Sequence, residues 1–454
     1  MIKVELISHS NTAPLDLTSH AAKVCYRAEP PEMGKNIDVE NRLFKTGHHT
    51  TLQHFFITFL IEGISVGDIT MGMHLASPFY NSDQRSGRYC AKMFLEPDFL
   101  KIQNYIKAYW PDLPEAQGDK IINYVKKGVR AYHENIEKAA ELSKKFLKKE
   151  RPFVGGKPLE VNAPKIAQEQ MRSFIPVIFP TGFDFTVNLT ALTAMYNAAW
   201  NPVMRSVTSE MAKAVTRKFP ELEFMFAEEN RKRREWSPEL DLQEGKIKYK
   251  PELELLKVSG EDKFVKPAHK DMHPIDLLHF LPETMDNQIG EIGAKVEISL
   301  ATMGQDQRHR TVRRSRPKFT GNFYLPPIPR EMGLEQKAGE LLSEWKNLYK
   351  EIPPSLAAVV APYGAMVSYE KFGSFNAIAH EQEKRLCWNA QEEIYHLSLL
   401  LREKIKEKKG VNSPLLGLFE PVCYASGICG EGARYCGRDI KLRETGDYFP
   451  ERKV

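Results

Sequence analysis

The apolar positions along the chain fall into runs whose period changes. Phe55 to Ile64 (FFITFLIEGI) is almost continuously apolar and rich in β-branched and aromatic residues, which predicts a buried strand. From about Asp119 the spacing lengthens. Ile122, Val125, Val129, Tyr132, Ile136, Ala139 and Phe146 recur at helical intervals and predict one long amphipathic helix. Arg151-Pro152 and Val154-Gly155-Gly156 close it. Asn201-Pro202 is a capping and first-turn pair, and Met204, Val207, Met211 and Val215 follow it on one helix face.

The same order of elements then returns. Ala294 to Ala301 (AKVEISLA) reads as a strand, followed by a polar and basic segment. A helix carrying Leu334, Ala338, Leu341, Trp345 and Leu348 comes next and stops at Ile352-Pro353-Pro354. A final helix presents Ile394, Leu397, Leu401 and Ile405. The charged stretch from about Glu228 to Lys263, which includes ENRKRREW, reads as a linker or surface excursion. A repeat of about two hundred residues is too long for a solenoid and points to tandem duplication. The expected fold class is α/β (α+β), each half a central sheet flanked by long helices. The expected limits are 1–225 for the first domain, 226–265 for the linker, 266–410 for the second domain and 411–454 for a tail containing glycine and cysteine.

The 454 residues have room for two or three cores, and 42% hydrophobic with 27% charged residues excludes general disorder. No apolar run approaches the ~18 residues of a membrane span, and no basic head precedes an apolar stretch at the N-terminus. Membrane and secreted readings both fail, and a cytoplasmic protein is expected. A net charge of +5 gives a mild bias toward anionic ligands. Six cysteines are too few for a disulfide scaffold and fit a reducing compartment.

The densest chemical signal is Gln305-Asp-Gln-Arg308-His309-Arg310-Thr-Val-Arg313-Arg314-Ser-Arg316, with five arginines and one histidine in its last nine residues. Three readings fit: a solvated basic loop, a phosphate cradle using guanidinium forks, and a nucleic-acid contact. Little aromatic residue is interleaved, which counts against the last. His48, His49 and His54 have no carboxylate or cysteine at ligand spacing, so no metal site is expected there. Ser86-Gly87-Arg88 offers a hydroxyl, an open backbone N–H and a guanidinium in succession, the pieces of an anion nest. In the tail, Cys423, Cys429 and Cys436 are six and seven residues apart. Zinc ligands usually pair two to four residues apart, and no fourth ligand is evident, so reduced thiols packing a glycine-rich loop are expected.

Together these residues carry a resemblance. GHHTTLQH, a strand and then YNSDQRSGRY resemble the N-terminal part of the flavin-dependent thymidylate synthases. GQDQRHR in the second half is similar to the same region's QxxRHR opening. Met171-Arg172-Ser-Phe-Ile-Pro176 is similar to that family's Ala-Arg-x-x-x-Pro segment, and Lys384-Arg385 through Ala390-Gln391 to the segment that opens its last helix. Gln53, Gln84 and Asn389 stand where the family has Glu, Glu and His. Pro362 follows Pro176 by 186 residues, and the same offset sets Ala358 opposite Arg172 and Ala199 opposite Arg385. Each half therefore lacks what the other keeps.

The resemblance implies FAD-dependent methylation of deoxyuridylate (dUMP), with methylenetetrahydrofolate as carbon donor and NADPH as reductant. Family sites lie between subunits of a homotetramer. The first half keeps one subunit's share in Ser86, Gly87, Arg88 and Arg172, and the second keeps its neighbour's in Gln305, Arg308 and Arg385. The implied roles are Arg308 and Arg385 at the uracil end, with Arg88 and Arg172 on the monophosphate. His48, Thr50, Asn188, His309 and Arg310 would face FAD. No cysteine nucleophile is required, and Cys25, Cys90 and Cys387 read as plain thiols. A homodimer would stand in for the tetramer, with no membrane or nucleic-acid partner.

Overall fold

The computed structural model describes residues 2–76, 79–88, 90, 92–231, 235–243, 245–260, 290–441 and 449–454. Tyr89, parts of the expected linker (232–234, 244 and 261–265) and the expected start of the second domain at 266 lie outside the described residues. The first half contributes β1 (Lys3–His9), β2 (Phe56–Ser65), β3 (Tyr80–Gln84) and β4 (Pro180–Asn188). The second contributes β5 (Ile247–Lys248), β6 (Glu252–Ser259), β7 (Glu291–Ser299), β8 (Arg313–Arg314), β9 (Lys318–Tyr324) and β10 (Ala365–Ser374).

Among the described residues the first sheet runs β1-β2-β4-β3 and the second β5-β9-β10-β7-β6, with β8 on β10. Without β5 and β8, the second sheet read from its far edge is β6-β7-β10-β9, the order of the first. Both families of strands alternate as a sheet with one buried face must. Ile57, Phe59 and Ile61 of β2 are fully buried, while Phe56, Thr58 and Leu60 between them are more open. A bulge lies between Glu62 and Ile64, where Gly63 takes φ 81°.

The expected helices are present with two differences. The long helix from Asp119 is two helices, Glu115–His133 and Ile136–Glu150. Asn135 breaks it by turning its side chain back to the Ala131 carbonyl at 2.9 Å. The helix Gly156–Met171 was not expected, because its internal Pro164 and weak periodicity hide it. Asn201 caps Pro202–Lys218 as its sequence suggests, accepting from the Met204 N–H at 2.7 Å. Helices Glu335–Glu351 and Glu392–Lys409 match their apolar spacing. The charged stretch expected as a linker is part of the fold. It carries β5 and β6, and β6 pairs with β7 from Glu252↔Glu297 to Ser259↔Glu291. Among the described residues no helix is long and apolar enough to cross a membrane.

The halves meet at a bridge between Pro176 and Pro362. The Val177 N–H donates to the Ala361 carbonyl and the Tyr363 N–H to the Ile175 carbonyl, both at 2.8 Å. Adding 186 to Val177 and Ile175 gives Tyr363 and Ala361, so each bond is the image of the other. One hydrophobic core runs through the joint, with Phe174, Ile175 and Val177 packed among Val359, Val360 and Tyr363. A second core gathers Trp388, Tyr395, Leu401, Leu415 and Phe449 beneath the tail.

Each half also turns from strand to helix at a serine that caps the next turn. Ser65 Oγ accepts from the Asp68 N–H at 2.9 Å and Ser299 Oγ from the Thr302 N–H at 3.2 Å. A buried carboxyl sits at each joint. Asp68 takes hydrogen bonds from Ser65 Oγ (2.5 Å) and Tyr105 Oη (2.6 Å). Glu393 takes them from the Ser299 N–H (2.7 Å), Thr302 Oγ1 (2.6 Å) and Ser299 Oγ. Burial pushes Asp68 up to about 6 and Glu393 up to about 7, against the hydrogen bonds that favour the anion.

Two expectations follow. A Cβ on Gly128 would lie 2.3 Å from the Phe174 carbonyl oxygen and 3.0 Å from Pro176 Cδ. Alanine gains about 1 kcal/mol of helix propensity there, but the obstacle is backbone at the joint. Gly128→Ala should lose about 1–3 kcal/mol net in urea unfolding. Glu393 is held protonated by the fold, so its contribution is complete below the unfolded carboxyl pKa and is lost as pH rises through about 7. Glu393→Gln should remove that slope. Urea midpoints of the two proteins at pH 5 and pH 8 should differ by about 1.4 kcal/mol per unit of the shift, and parallel curves would refute it.

Candidate active site

The second half brings its residues from two adjacent elements. The Ser299-capped helix Leu300–Asp306 buries Gln305 and leads into Arg308-His309-Arg310. The helix Phe375–Arg385 ends at Arg385, and the following turn reaches Gln391. Arg385 donates through Nε to His309 Nε2 at 2.8 Å and through Nη2 to the Gln305 carbonyl at 2.7 Å. Accepting at Nε2 places the His309 proton on Nδ1. Burial, with the charge of Arg385, holds this imidazole well below its ordinary pKa, so it is neutral. His309 therefore orients Arg385.

The first half answers from three segments. Ser86, Gly87 and Arg88 follow β3, Gln168 and Glu169 lie near the end of Gly156–Met171, and Arg172 opens the short helix Arg172–Phe174. The Gly87 carbonyl accepts from Gln168 Nε2 at 2.9 Å. A Cβ at Gly87 would stand 3.3 Å from Arg172 Nη1 and 3.4 Å from Tyr363 Oη, so glycine keeps this approach open. The Arg88 N–H donates to Ser86 Oγ at 3.2 Å. Its guanidinium pairs with Glu169 and donates to the Asn389 carbonyl of the other half at 3.1 Å.

Both sets close on Gln391. Its Oε1 accepts from Arg172 Nη2 of the first half at 3.2 Å and from Gln305 Nε2 of the second. Arg172, buried, also lies 5.0 Å over the Tyr363 ring. Burial lowers Arg385 to about 10, and the charges of Arg88 and Arg308 add to the effect against Glu381 and Asp306. Burial likewise lowers Arg172, with Arg88 again contributing. Guanidinia from both halves thus crowd one another. Arg308 is exposed, with no side-chain hydrogen bond or ion pair among the described residues. Arg172 Nε and Gln305 Oε1 are buried without hydrogen-bond partners there. Such a site suits an anion carrying amide-like edges.

The rest of the basic run is engaged. Arg314 is buried, bonded to the Asp306 carboxylate at 2.5 Å and to the Val312 carbonyl at 2.7 Å. Lys371 also pairs with Asp306, at 2.7 Å. Arg313 pairs with Glu291 at 2.6 Å. Arg316 lies 6.0 Å over Trp236. Arg310 crosses to the first half, 4.6 Å over Tyr80 and 3.3 Å from Asn81 Oδ1. These pairings leave no open basic strip for a nucleic-acid backbone in this segment.

The residues expected to face FAD divide. Asn188 caps Leu189–Ala198, accepting from the Ala191 N–H at 2.8 Å. His48 and Thr50 are exposed, and Thr190 Oγ1 donates to the neighbouring His49 carbonyl at 3.0 Å. The register Tyr80↔Val187 puts Arg310 at this same end of the first sheet. His309 and Arg310 are already bonded, so the set does not form a closed cradle for FAD within one chain. Among the described residues no group of three His, Cys, Asp or Glu is arranged to hold a metal ion.

The opposite junction has lost its polar groups. Ala199 and Ala358 are buried there. Counting from the two capping serines, His74 stands opposite Arg308. It is bonded to Ser82 at 2.9 Å and stacked 5.1 Å from Tyr80, and burial lowers it to about 3. Arg231, from the stretch expected as linker, lies 4.2 Å over Tyr196 and donates to the Arg205 carbonyl at 2.7 Å.

Sequence reasoning missed Gln168, Glu169, Tyr363 and the bridging role of Gln391. The available signal was Gln168-Glu169-Gln170, three consecutive polar residues that are all buried.

A family model described as thymidylate synthase complementing protein matches residues 5–221. Two structures of thymidylate synthase X from Helicobacter pylori with FAD and dUMP are similar, at 14% and 15% identity. Each alignment covers 50% of this chain and 98% of the other, with a TM-score of 0.33. No curated protein matches the chain. Through residues 5–221, the chain belongs to the flavin-dependent thymidylate synthase family.

Proposed function

We propose that the chain is an FAD-dependent thymidylate synthase whose dUMP site is built from both halves, as the product of a tandem duplication. The observation that carries this reading is the meeting of Arg172 and Gln305 on Gln391. The matching sheet orders and the paired bonds at Pro176 and Pro362 support the duplication.

Methylation at C5 requires an electron-rich uracil and loss of the C5 proton. Arg308 and Arg385 stabilise negative charge on the uracil oxygens, and His309 and the Gln305 carbonyl hold Arg385 ready for it. Arg88 and Arg172 hold the monophosphate, with Ser86 and Gly87 leaving room for its oxygens. FAD, when bound, supplies hydride, with NADPH restoring it and methylenetetrahydrofolate giving the carbon. Because the flavin set does not close in one chain, His48 and Thr50 of one copy and the Arg310 region of another complete it in a cytoplasmic homodimer.

A non-catalytic nucleotide-binding relative is the second reading, favoured by the engagement of Arg310 and His309 within the chain. Calorimetry with dUMP and tritium release from dUMP labelled at C5 separate the two. The synthase should bind dUMP and release tritium when FAD, NADPH and methylenetetrahydrofolate are present. Arg172→Ala and Arg385→Ala should each weaken binding at least about tenfold, about 1.4 kcal/mol. Binding without release would leave the second reading, and no binding would refute both.

A further inference from the structure

Along the sequence, Cys423, Cys429 and Cys436 lack a fourth partner, and the fold supplies one. Cys387 lies in the turn between Arg385 and Gln391, far from the tail in sequence. The Arg438 guanidinium lies 4.5 Å over the Trp388 ring and 5.1 Å over the Tyr424 ring. Asn389 Nδ2 donates to the Arg434 carbonyl at 2.6 Å. These contacts bring together the backbone beside Cys387, Cys423 and Cys436. Cys423 and Cys436 both pack on the second hydrophobic core. Cys423 interacts electrostatically with Cys387, Cys429 and Cys436, so the four sulfurs share one neighbourhood. Gly427 and Gly437 turn the chain beside the cysteines at φ 72° and 80°. The remaining two cysteines, Cys25 and Cys90, are exposed.

The charge around this cluster points the same way. Arg151, Arg438 and Arg452 are all buried, 5.9, 4.5 and 5.7 Å over the Trp388 ring. Each also faces a cysteine: Arg151 feels Cys436, Arg438 feels Cys423 and Arg452 feels Cys387. Glu150 and Glu392 offset part of this positive charge. Neutral thiols offset none, and buried cations without counter-charge are costly. Four thiolates around a divalent cation carry a net charge of −2 and would supply the balance.

We propose that Cys387, Cys423, Cys429 and Cys436 form a closed tetrathiolate site for a soft divalent metal, with zinc as its occupant. Zinc suits this donor set, because four sulfurs at about 2.3 Å fill its tetrahedral shell and leave no open position. The sulfurs are neighbours that stand short of ligand geometry, and binding pulls the tail inward to close them. The centre braces the turn that carries Asn389 and Gln391 into the active site. Two contacts extend the brace to the first half: Arg151 Nη2 donates to the Trp388 carbonyl and the Phe153 N–H to the Gly437 carbonyl, both at 2.9 Å. Only this consequence rests on the proposed function; the metal site stands apart from it.

Metal analysis of the purified full-length chain by plasma mass spectrometry tests the site without any nucleotide. One zinc per chain is expected. Cys387→Ser and Cys429→Ser should each abolish it, while Cys25→Ser and Cys90→Ser should leave it intact. If the serine variants fail to fold, two measurements on the unaltered chain replace them. Cobalt exchange should give thiolate charge-transfer bands and the visible bands of a tetrahedral site, and mercurial titration should release one zinc as four thiols react. A chain that takes up no stoichiometric metal after anaerobic incubation with zinc would overturn the proposal, as would zinc retained in Cys387→Ser. Iron with acid-labile sulfide would overturn the choice of metal. Failure to bind dUMP would refute the proposed function and leave the zinc result standing.

Discussion

Pro176 and Pro362 face each other with no N–H to give, so the backbone bonds between the halves pass to their neighbours, Val177 and Tyr363. That exchange fixes the halves back to back about a two-fold relation. It also sets where each half's loops arrive. Arg172 lies four residues before Pro176, and Tyr363, one residue after Pro362, offers its ring to the Arg172 guanidinium. The Gly128 helix packs against the same backbone at Phe174. A shift at this joint would separate Arg172 from Gln391 and Arg88 from Asn389 together, because both contacts cross it.

A second constraint is the amount of positive charge that the chain buries. Desolvating a guanidinium costs several kcal/mol unless hydrogen bonds and counter-charges replace water. The fold meets that cost differently at different places. Arg314 is held by the Asp306 carboxylate and backbone carbonyls, and those contacts raise its pKa above an already high value. Arg231 is held by carbonyls, hydroxyls and an aromatic face. At the junction with Gln391, by contrast, burial and mutual repulsion pull Arg172 and Arg385 down. Satisfied arginines are structural. The crowded ones store an electrostatic demand that an anionic ligand relieves, which is the usual mark of a binding site.

The two copies show how a duplicated site drifts when one junction is enough. In the second half, the residues after Arg310 no longer build a Ser-Gly-Arg nest. They turn back early into β8, and Arg314 becomes the partner of Asp306 and of the backbone around His309. That ion pair steadies the loop from which Arg308 projects. In the first half, His74 takes the position opposite Arg308 and is locked neutral against Ser82 and Tyr80. Ala199 and Ala358 replace the arginines that would otherwise meet there. The polar groups lost at one junction are those kept at the other.

Periodicity alone determined the strands β2 and β7, the helices capped by Asn201 and closed by Ile352-Pro353, and the repeat that joins them. These features are local, written in the spacing of apolar residues and in capping chemistry. The motifs also named Ser86, Gly87, Arg88, Arg172, Gln305, Arg308 and Arg385, since residue types suited to anions stand out against an apolar background. Tertiary structure decided what spacing cannot encode. Asn135 broke a helix whose apolar stripe runs on without interruption, and a charged stretch became two strands because β7 and β9 offered edges. Which arginines are engaged and which stay open depended on partners up to hundreds of residues away: Asp306 for Arg314, Tyr80 for Arg310, Gln391 for Arg172. The fourth cysteine was invisible for the same reason. Sequence sets which groups are available, but the folded chain decides which of them share a dielectric, a partner and a charge.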